Sequence, residues 1–442
     1  MIKSLKAITF SSLLYFSCSP VFALDFLQVY ELAIKNDPDI LAAQYEYLAV
    51  LDTRAQSRSA LLPNVALDVF TQQVSQDRSS TTNNTTGNIS GDFNTEGYTL
   101  SLTQSIYNHD LYLKLEQTDL SIASSTADFE SQKQTLILRV AEAYFNVLAA
   151  IDNLAFAQAE QKAIGEQLEQ TQQRFAVGLI AITDVKESQA QYDLSLASEI
   201  LAENTLAISR EALRSIIGET PNDLNPLSTS FPLLTPEPRN INSWVNTSKQ
   251  NNLSLKTAQY AYDIAAKQVG ISRADHYPSL NLNVNHRAID TISDTLNSES
   301  KNTSVMLNLS IPIYSGGLTQ ASTRQAVAQK ERSKALREKN LRSVIKQTRD
   351  SYLGVTTSIA QVKAFKQALI STQSAYEATQ ASFEAGSRTT VEVLAALQEQ
   401  YRAERDYAQS RYNYILNILR LKQAAGILSA QDVTQINRWL KR

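Results

Sequence analysis

From about Asp110 to Ala176 the chain contains no proline, and Gly165 is its only glycine. Proline breaks a helix interior and glycine weakens it, so this run permits one continuous helix. Apolar or small residues recur within it in a near-heptad: Ile137, Tyr144 and Ile151, with Val140, Val147 and Leu154 between them. That spacing predicts a coiled-coil-like seam. A helix of ~65 residues is roughly 100 Å long at 1.5 Å per residue. Leu318 to Glu384 repeats the pattern. One chain has no core wide enough to bury two such rods along their length, so they are expected to pack against copies of themselves.

The repetition extends to the whole chain. Ala43-Gln44-Tyr45 recurs as Ala258-Gln259-Tyr260, and Arg58 to Pro63 parallels Arg273 to Pro278. Ile106-Tyr107 parallels Ile313-Tyr314, Tyr144 falls opposite Tyr352, and Phe175-Ala176-Val177-Gly178 parallels Phe383-Glu384-Ala385-Gly386. A period this long is a domain-scale duplication. The organisation reads as residues 24–218 for the first repeat and 240–428 for the second. A connector at 219–239 carries Pro221, Pro226, Pro232, Pro236 and Pro238, and a tail covers 429–442. The long helices are expected at about 109–176 and 318–384, with return helices at about 183–217 and 390–425. Gly178 and Gly386 stand where a helix C-terminus wants a left-handed residue.

Four short segments alternate in the other period. Val65, Leu67 and Val69 alternate with Ala66, Asp68 and Phe70; Tyr98, Leu100 and Leu102 with Thr99, Ser101 and Thr103. Leu280, Leu282 and Val284 alternate with Asn281, Asn283 and Asn285; Val305, Leu307, Leu309 and Ile311 with Met306, Asn308 and Ser310. Strands are therefore expected at about 64–74, 97–107, 279–287 and 303–314. One face is apolar and the other small and polar, the dyad pattern of a membrane β-barrel. Tyr98, Tyr107, Tyr277 and Tyr314 suit an interfacial aromatic girdle. The Ser-, Thr-, Asn- and Asp-rich stretches Thr71–Gly97 and Ala288–Thr303 read as surface loops. Four strands cannot close a barrel, and open edges are not tolerated in lipid, so the strands call for oligomerisation.

The N-terminus reads as a secretory signal, residues 1–23: Lys3 and Lys6, an apolar stretch from Ala7 to Phe16, and Val21-Phe22-Ala23 for cleavage. A lipidation site at Cys18 fits badly with Tyr15-Phe16-Ser17 before it. Cleavage removes the chain's one cysteine, leaving no thiol, disulfide or cysteine metal site. His109, His276 and His286 form no metal-binding pair, and a junction residue is the simpler reading of His109. With 12 glycines and 10 prolines in 442 residues, the composition is that of a helix former. There is no P-loop, GxGxxG turn or GxSxG elbow, so neither an enzyme nor a cofactor is expected. A net charge of −3 offers no footprint for nucleic acid.

Residues Arg174 to Val185 and Ala385 to Leu394, with Arg411-Tyr412-Asn413-Tyr414-Ile415-Leu416, resemble the TolC family of outer-membrane efflux proteins. The first of these, with Ala190-Gln191-Tyr192-Asp193 after it, is closest to the family's namesake. The resemblance covers about Leu24 to Leu428. It implies a mostly α fold with a membrane β-barrel: a homotrimer sharing one barrel in outer-membrane lipid and one long α-barrel in the periplasm. It further implies export of drugs, toxic small molecules or proteins. The partners implied are a periplasmic adaptor and an inner-membrane pump of the RND, ABC or MFS class.

The resemblance also places the working residues at the two helical tips. A periplasmic gate is expected from Thr183, Asp184, Phe383 and Arg388. Phe383 stands where the family has a tyrosine, so one hydroxyl link is absent. Glu392 matches the first of two acidic positions at the pore constriction and Ala395 stands at the second, leaving one ring of like charge. Val177, Gly178 and Leu179, with Ala385, Gly386 and Ser387, are the expected adaptor-docking surface. Local roles compete with these. Thr389 to Glu392 is also a capping box, Asp184 suits a helix N-terminus, and Arg388 reads equally as a solvated charge. The rival functions are a periplasmic coiled-coil scaffold or adaptor, which leaves the strands unexplained, and an outer-membrane receptor or adhesin, which leaves the rods unexplained.

Overall fold

The computed structural model describes residues 23–82, 85–221, 223–228, 230–293 and 297–441, with side chains described outside 76–91, 93 and 293. The signal segment, with Cys18, lies outside the described residues apart from Ala23. Each repeat unfolds the same series. The first runs α1 (Phe26–Asn36), α2 (Pro38–Ser59), β1 (Asn64–Thr82), β2 (Thr85–Tyr107), α3 (His109–Ala176) and α4 (Ile182–Ile217). The second runs α5 (Ile241–Asn251), α6 (Leu253–Ala274), β3 (Ser279–Ser293), β4 (Asn297–Ser310), α7 (Leu318–Glu384) and α8 (Thr390–Ala424), and α9 (Ala430–Asn437) follows. The duplication extends to length: α3 and α7 have 68 and 67 residues, and α4 and α8 have 36 and 35.

The four strands form one antiparallel sheet in the order β1-β2-β3-β4. Val65, Leu67 and Val69 pair with Leu102, Leu100 and Tyr98, and Val284 and Leu282 pair with Val305 and Leu307. Directly paired residues share a face, so this face is mostly apolar: the row Val65, Leu102, Val284 and Val305 is apolar on all four strands, while His286, Thr303 and Lys301 complete the neighbouring rows. It has no cover within the protomer: Val69 is 75% exposed and Val305 70%.

The ladders run further than the alternation of apolar residues. β1 and β2 pair without interruption from Asn64↔Thr103 to Thr82↔Thr85, and β3 and β4 from Ser279↔Ser310 to Ile292↔Asn297. Most of Thr71–Gly97 and Ala288–Thr303 is therefore strand, not loop. Alternation of hydrophobicity reports only where one face meets an apolar medium; the backbone ladder needs no such face and continues through Ser, Thr and Asn. A membrane-spanning strand needs about 9–11 residues, and the 19-residue β1 is nearly twice that length. At the other end β4 stops at Ser310, short of residue 314, because Pro312 has no N–H to donate. His109 opens α3 and meets the Tyr277 ring edge-on at 5.1 Å, a packing contact at the strand–helix junction.

α2 and α6 flank the long helices on the side of the strands, and α4 and α8 flank them toward the tips. Between these zones lies the main core. Leu136, Ile137, Val140, Tyr144, Phe145, Val147 and Leu148 of α3 are buried against α1, α8, α9 and the connector. This stretch of the predicted seam is thus filled by its own protomer, and only Ile151 and Leu154 remain half-buried at its end. Among the described residues α3 is the one helix long and apolar enough to cross a membrane, and over half of its apolar stretch is buried within the protomer. Two short bridges, Leu24↔Leu224 and Leu227↔Leu440, bind the connector to both termini of the described chain.

Buried tyrosines hold this belt together. Tyr144 Oη donates to Asn225 O at 2.9 Å, and Tyr412 Oη to Asp152 Oδ2 at 2.7 Å. Tyr414 Oη accepts from Leu234 N at 2.6 Å and donates to Leu234 O at 3.0 Å. Burial pushes the Tyr414 phenol from its ordinary 10.0 up to about 12. Above pH 10 the unfolded chain ionises this group while the folded belt keeps it neutral. Stability present below pH 10 is therefore lost as pH rises toward 12. We expect the unfolding temperature of the detergent-solubilised protein to fall over that window, and to fall less steeply in Tyr414→Phe. Equal slopes in the two proteins would contradict the assignment.

Candidate functional site at the helical tips

The two helical hairpins end in the same backbone device. At the first tip Leu179 N donates to Arg174 O and Gly178 N to Phe175 O, both at 2.9 Å. At the second, Ser387 N donates to Ser382 O at 2.9 Å and Gly386 N to Phe383 O at 3.0 Å. These are Schellman turns, which satisfy the last carbonyls of α3 and α7 and reverse the chain. They require a left-handed residue, and Gly178 and Gly386 supply it at φ 76° and 79°. The turns hold small or apolar groups out in water: Val177 is 71% and Leu179 72% exposed, and Ala385, Gly386 and Ser387 are exposed as well.

The start of α8 is tightly bonded. Thr389 caps it with a full capping box: Thr389 N donates to Glu392 Oε2 at 2.8 Å, and Glu392 N returns the bond to Thr389 Oγ1 at 3.4 Å. Arg388 Nη1 pairs with Glu392 Oε1 one turn along. The Thr389 backbone N–H, and then the Arg388 guanidinium, hold the Glu392 carboxyl below its ordinary range. Both carboxylate oxygens are thus engaged inside the tip. Ala395 is exposed one turn further.

α4 starts more loosely. Its N-cap, Ala181, makes no side-chain cap bond. Thr183 is exposed, and its hydroxyl reaches Asp184 Oδ1 only at 3.5 Å. Within one protomer the structure therefore brings Arg388 to Glu392 and Thr183 to Asp184. Among the described residues it does not bring Arg388 to either Thr183 or Asp184.

Phe383 is 4% exposed, and the Arg174 guanidinium lies 4.2 Å over its ring. The ring that lacks a hydroxyl is the buried base on which a cation of the other hairpin rests. This cation–π contact joins the end of α3 to the end of α7. Arg174 stands within the tip segment, but nothing in the sequence pairs it with a residue of the second repeat. A small apolar cluster of Ile164, Leu394 and Leu397, edged by Tyr192, Tyr376 and Tyr401, fills the space above.

Farther from the tips, polar rungs cross from α3 to α8: Glu160–Arg405 at 2.6 Å, Asp152–Tyr412 at 2.7 Å and Glu142–Arg420 at 2.8 Å. Below them Gln398 of α8 meets Gln191 of α4 at 2.7 Å. Glu160 is nearly buried, so its guanidinium partner is needed to offset desolvation. Among the described residues no group of His, Cys, Asp and Glu side chains forms a metal site.

The family model described as "Outer membrane efflux protein" matches residues 29–219 and 244–427, one segment in each repeat. Outer membrane protein TolC of Vibrio cholerae serotype O1 is 37% identical, over 96% of this chain and 95% of its own. The alkaline protease secretion protein AprF of Pseudomonas aeruginosa is 31% identical, over 93% of this chain and 86% of its own. The crystal structure of the outer membrane protein VceC from Vibrio cholerae superposes with a TM-score of 0.75 at 16% identity, covering 91% of this chain and 96% of that one.

If Phe383 is the base of the contact between the hairpins, Phe383→Ala removes it while leaving both Schellman turns intact. Amide hydrogen exchange in residues 174–185 and 383–394 is then expected to rise together, with the belt unchanged. Exchange at the first tip equal to wild type would show that the hairpins are held otherwise.

Proposed function

The chain belongs to the outer membrane efflux protein family, and from that membership we propose that three copies join into one sealed conduit across the outer membrane and periplasm. It is an outer-membrane channel of efflux and secretion. The observation that carries the trimer is the open sheet. Among the described residues β1 and β4 are edges without a partner, on a sheet whose apolar face has no cover. Exposed edges are untenable in lipid, and three copies of four strands supply a twelve-stranded barrel. On α4, Leu194, Leu201 and Ile208 repeat at seven-residue spacing and are all exposed, a seam ready for a neighbouring rod.

The conduit does no catalysis in this reading. Its cargo is drugs, toxic small molecules or proteins, and the name of the AprF relative speaks for protein secretion. A periplasmic adaptor seats on Val177, Gly178 and Leu179 and on Ala385, Gly386 and Ser387, where apolar and small groups stand in water. An inner-membrane RND, ABC or MFS pump supplies the driving force. The tips carry the gate. Arg388 restrains it, with Thr183 and Asp184 as acceptors on neighbouring helices, and Phe383 acts through Arg174 instead of through a hydroxyl. Glu392 gives a ring of three carboxylates at the constriction, and Ala395 leaves it single, so the conduit prefers cations.

Native mass measurement of the detergent-extracted protein should give three protomers; a monomer rejects the conduit. In planar bilayers Arg388→Ser is expected to raise the resting conductance severalfold, since a hydrogen bond to a charged group contributes about 1.5–3 kcal/mol. Unchanged conductance removes Arg388 from the gate.

A further inference from the structure

The sheet's second face, opposite the apolar one, is lined mostly by Ala, Ser, Thr and Asn. Among its described side chains only two are charged, Asp68 and Arg287, and the register places them in one row: Asp68↔Thr99↔Arg287↔Asn302. The next row is Phe70↔Gly97↔Ile289↔Ser300. Phe70 and Arg287 are the bulkiest described groups on this face, and they meet across a strand. β1 and β3 are two strand spacings apart, about 9.5 Å, yet the Arg287 guanidinium carbon lies 5.5 Å from the centre of the Phe70 ring. Gly97 makes this possible. The ring leans over it, so that a Cβ added there would stand 3.2 Å from Phe70 Cζ and 2.5 Å from Ala288 O. Arg287 is exposed, and among the described residues it has no carboxylate partner. Asp68, two strands away, is beyond ion-pair reach.

We propose that Phe70, Gly97 and Arg287 build a charged eyelet in the barrel lumen, separate from the tips, at which Arg287 makes contact with anionic groups on passing cargo. The proposal rests on the trimeric reading. Threefold symmetry turns the row into a ring of three guanidinium groups, each propped on a ring, alternating with three Asp68 carboxylates. Among the described side chains of this face, Arg287 is the one cation that an anion can meet. The mixed signs keep the ring nearly neutral from afar, so it acts at contact range and not as a long-range filter. Phe70 matters because an unpropped arginine spreads over many rotamers.

The test is block of single-channel current by inorganic tripolyphosphate. It is added to the side where the strands project, so that it reaches the lumen without crossing the tips. Recordings are made in 0.1 M KCl, where screening extends over about 10 Å. Native mass measurement first confirms threefold assembly of each variant, so that loss of the trimer and loss of the eyelet are distinguishable. Arg287→Gln is expected to weaken block by about tenfold or more, the loss of a charge-assisted contact. Phe70→Leu should weaken it less, and Asp68→Asn should strengthen it. The reversal potential in a KCl gradient should shift in opposite directions in Arg287→Gln and Asp68→Asn. Trimeric Arg287→Gln channels that are blocked like wild type, with the same reversal potential, overturn the proposal.

Discussion

A backbone amide left without a partner in hydrocarbon costs several kcal/mol, and a four-stranded sheet has two edges full of them. Everything large in this molecule answers to that constraint. The strands need neighbours, which sets the requirement for assembly. In the proposed trimer, assembly around an axis would bring the long helices, which leave the same strands, into a ring of their own. The strand–helix junctions at His109 and after Gly317 would then fix the geometry of the pore as well as of the protomer.

Between the strands and the tips the protomer is self-sufficient. The belt buries Phe26, Tyr144, Phe145 and Tyr414, satisfies its phenols internally, and uses the connector to tie the two repeats together. It is the one part of the chain with an ordinary core. The strands lie to one side of it and the tips to the other. In the proposed trimer each end depends on neighbouring copies, and the belt provides a fixed reference between them.

Much of this was legible in the residues. Proline and glycine punctuate the long helices, so α3 and α7 could be bounded to within a few residues. The alternation around Val65–Val69 and Val305–Leu309 found the strands, and Thr389 to Glu392 could be read as a cap. What was not legible depends on pairing at long range. The outer halves of β1 to β4 carry no periodic signal, because hydrogen bonds between backbones leave no mark in Ser- and Thr-rich sequence. Arg174 over Phe383 joins residues of different repeats, as does Glu160 with Arg405, and local spacing is silent about both. The burial of Tyr144 and Val147 within one protomer was likewise hidden, since a heptad looks the same whether a neighbour or a distant part of the same chain fills it.

The rungs between α3 and α8 end at Glu160, and α3 continues to Ala176 without another such brace. The stretch beyond that last polar rung is roughly 24 Å at 1.5 Å per residue, held by Ile164 against Leu394 and Leu397 and by Arg174 on the Phe383 ring. Over that length a tilt of about 10° at the last rung would carry the tip sideways by about 4 Å, with no helix broken and no turn unwound. The reach of such a movement is set by where the polar bracing stops.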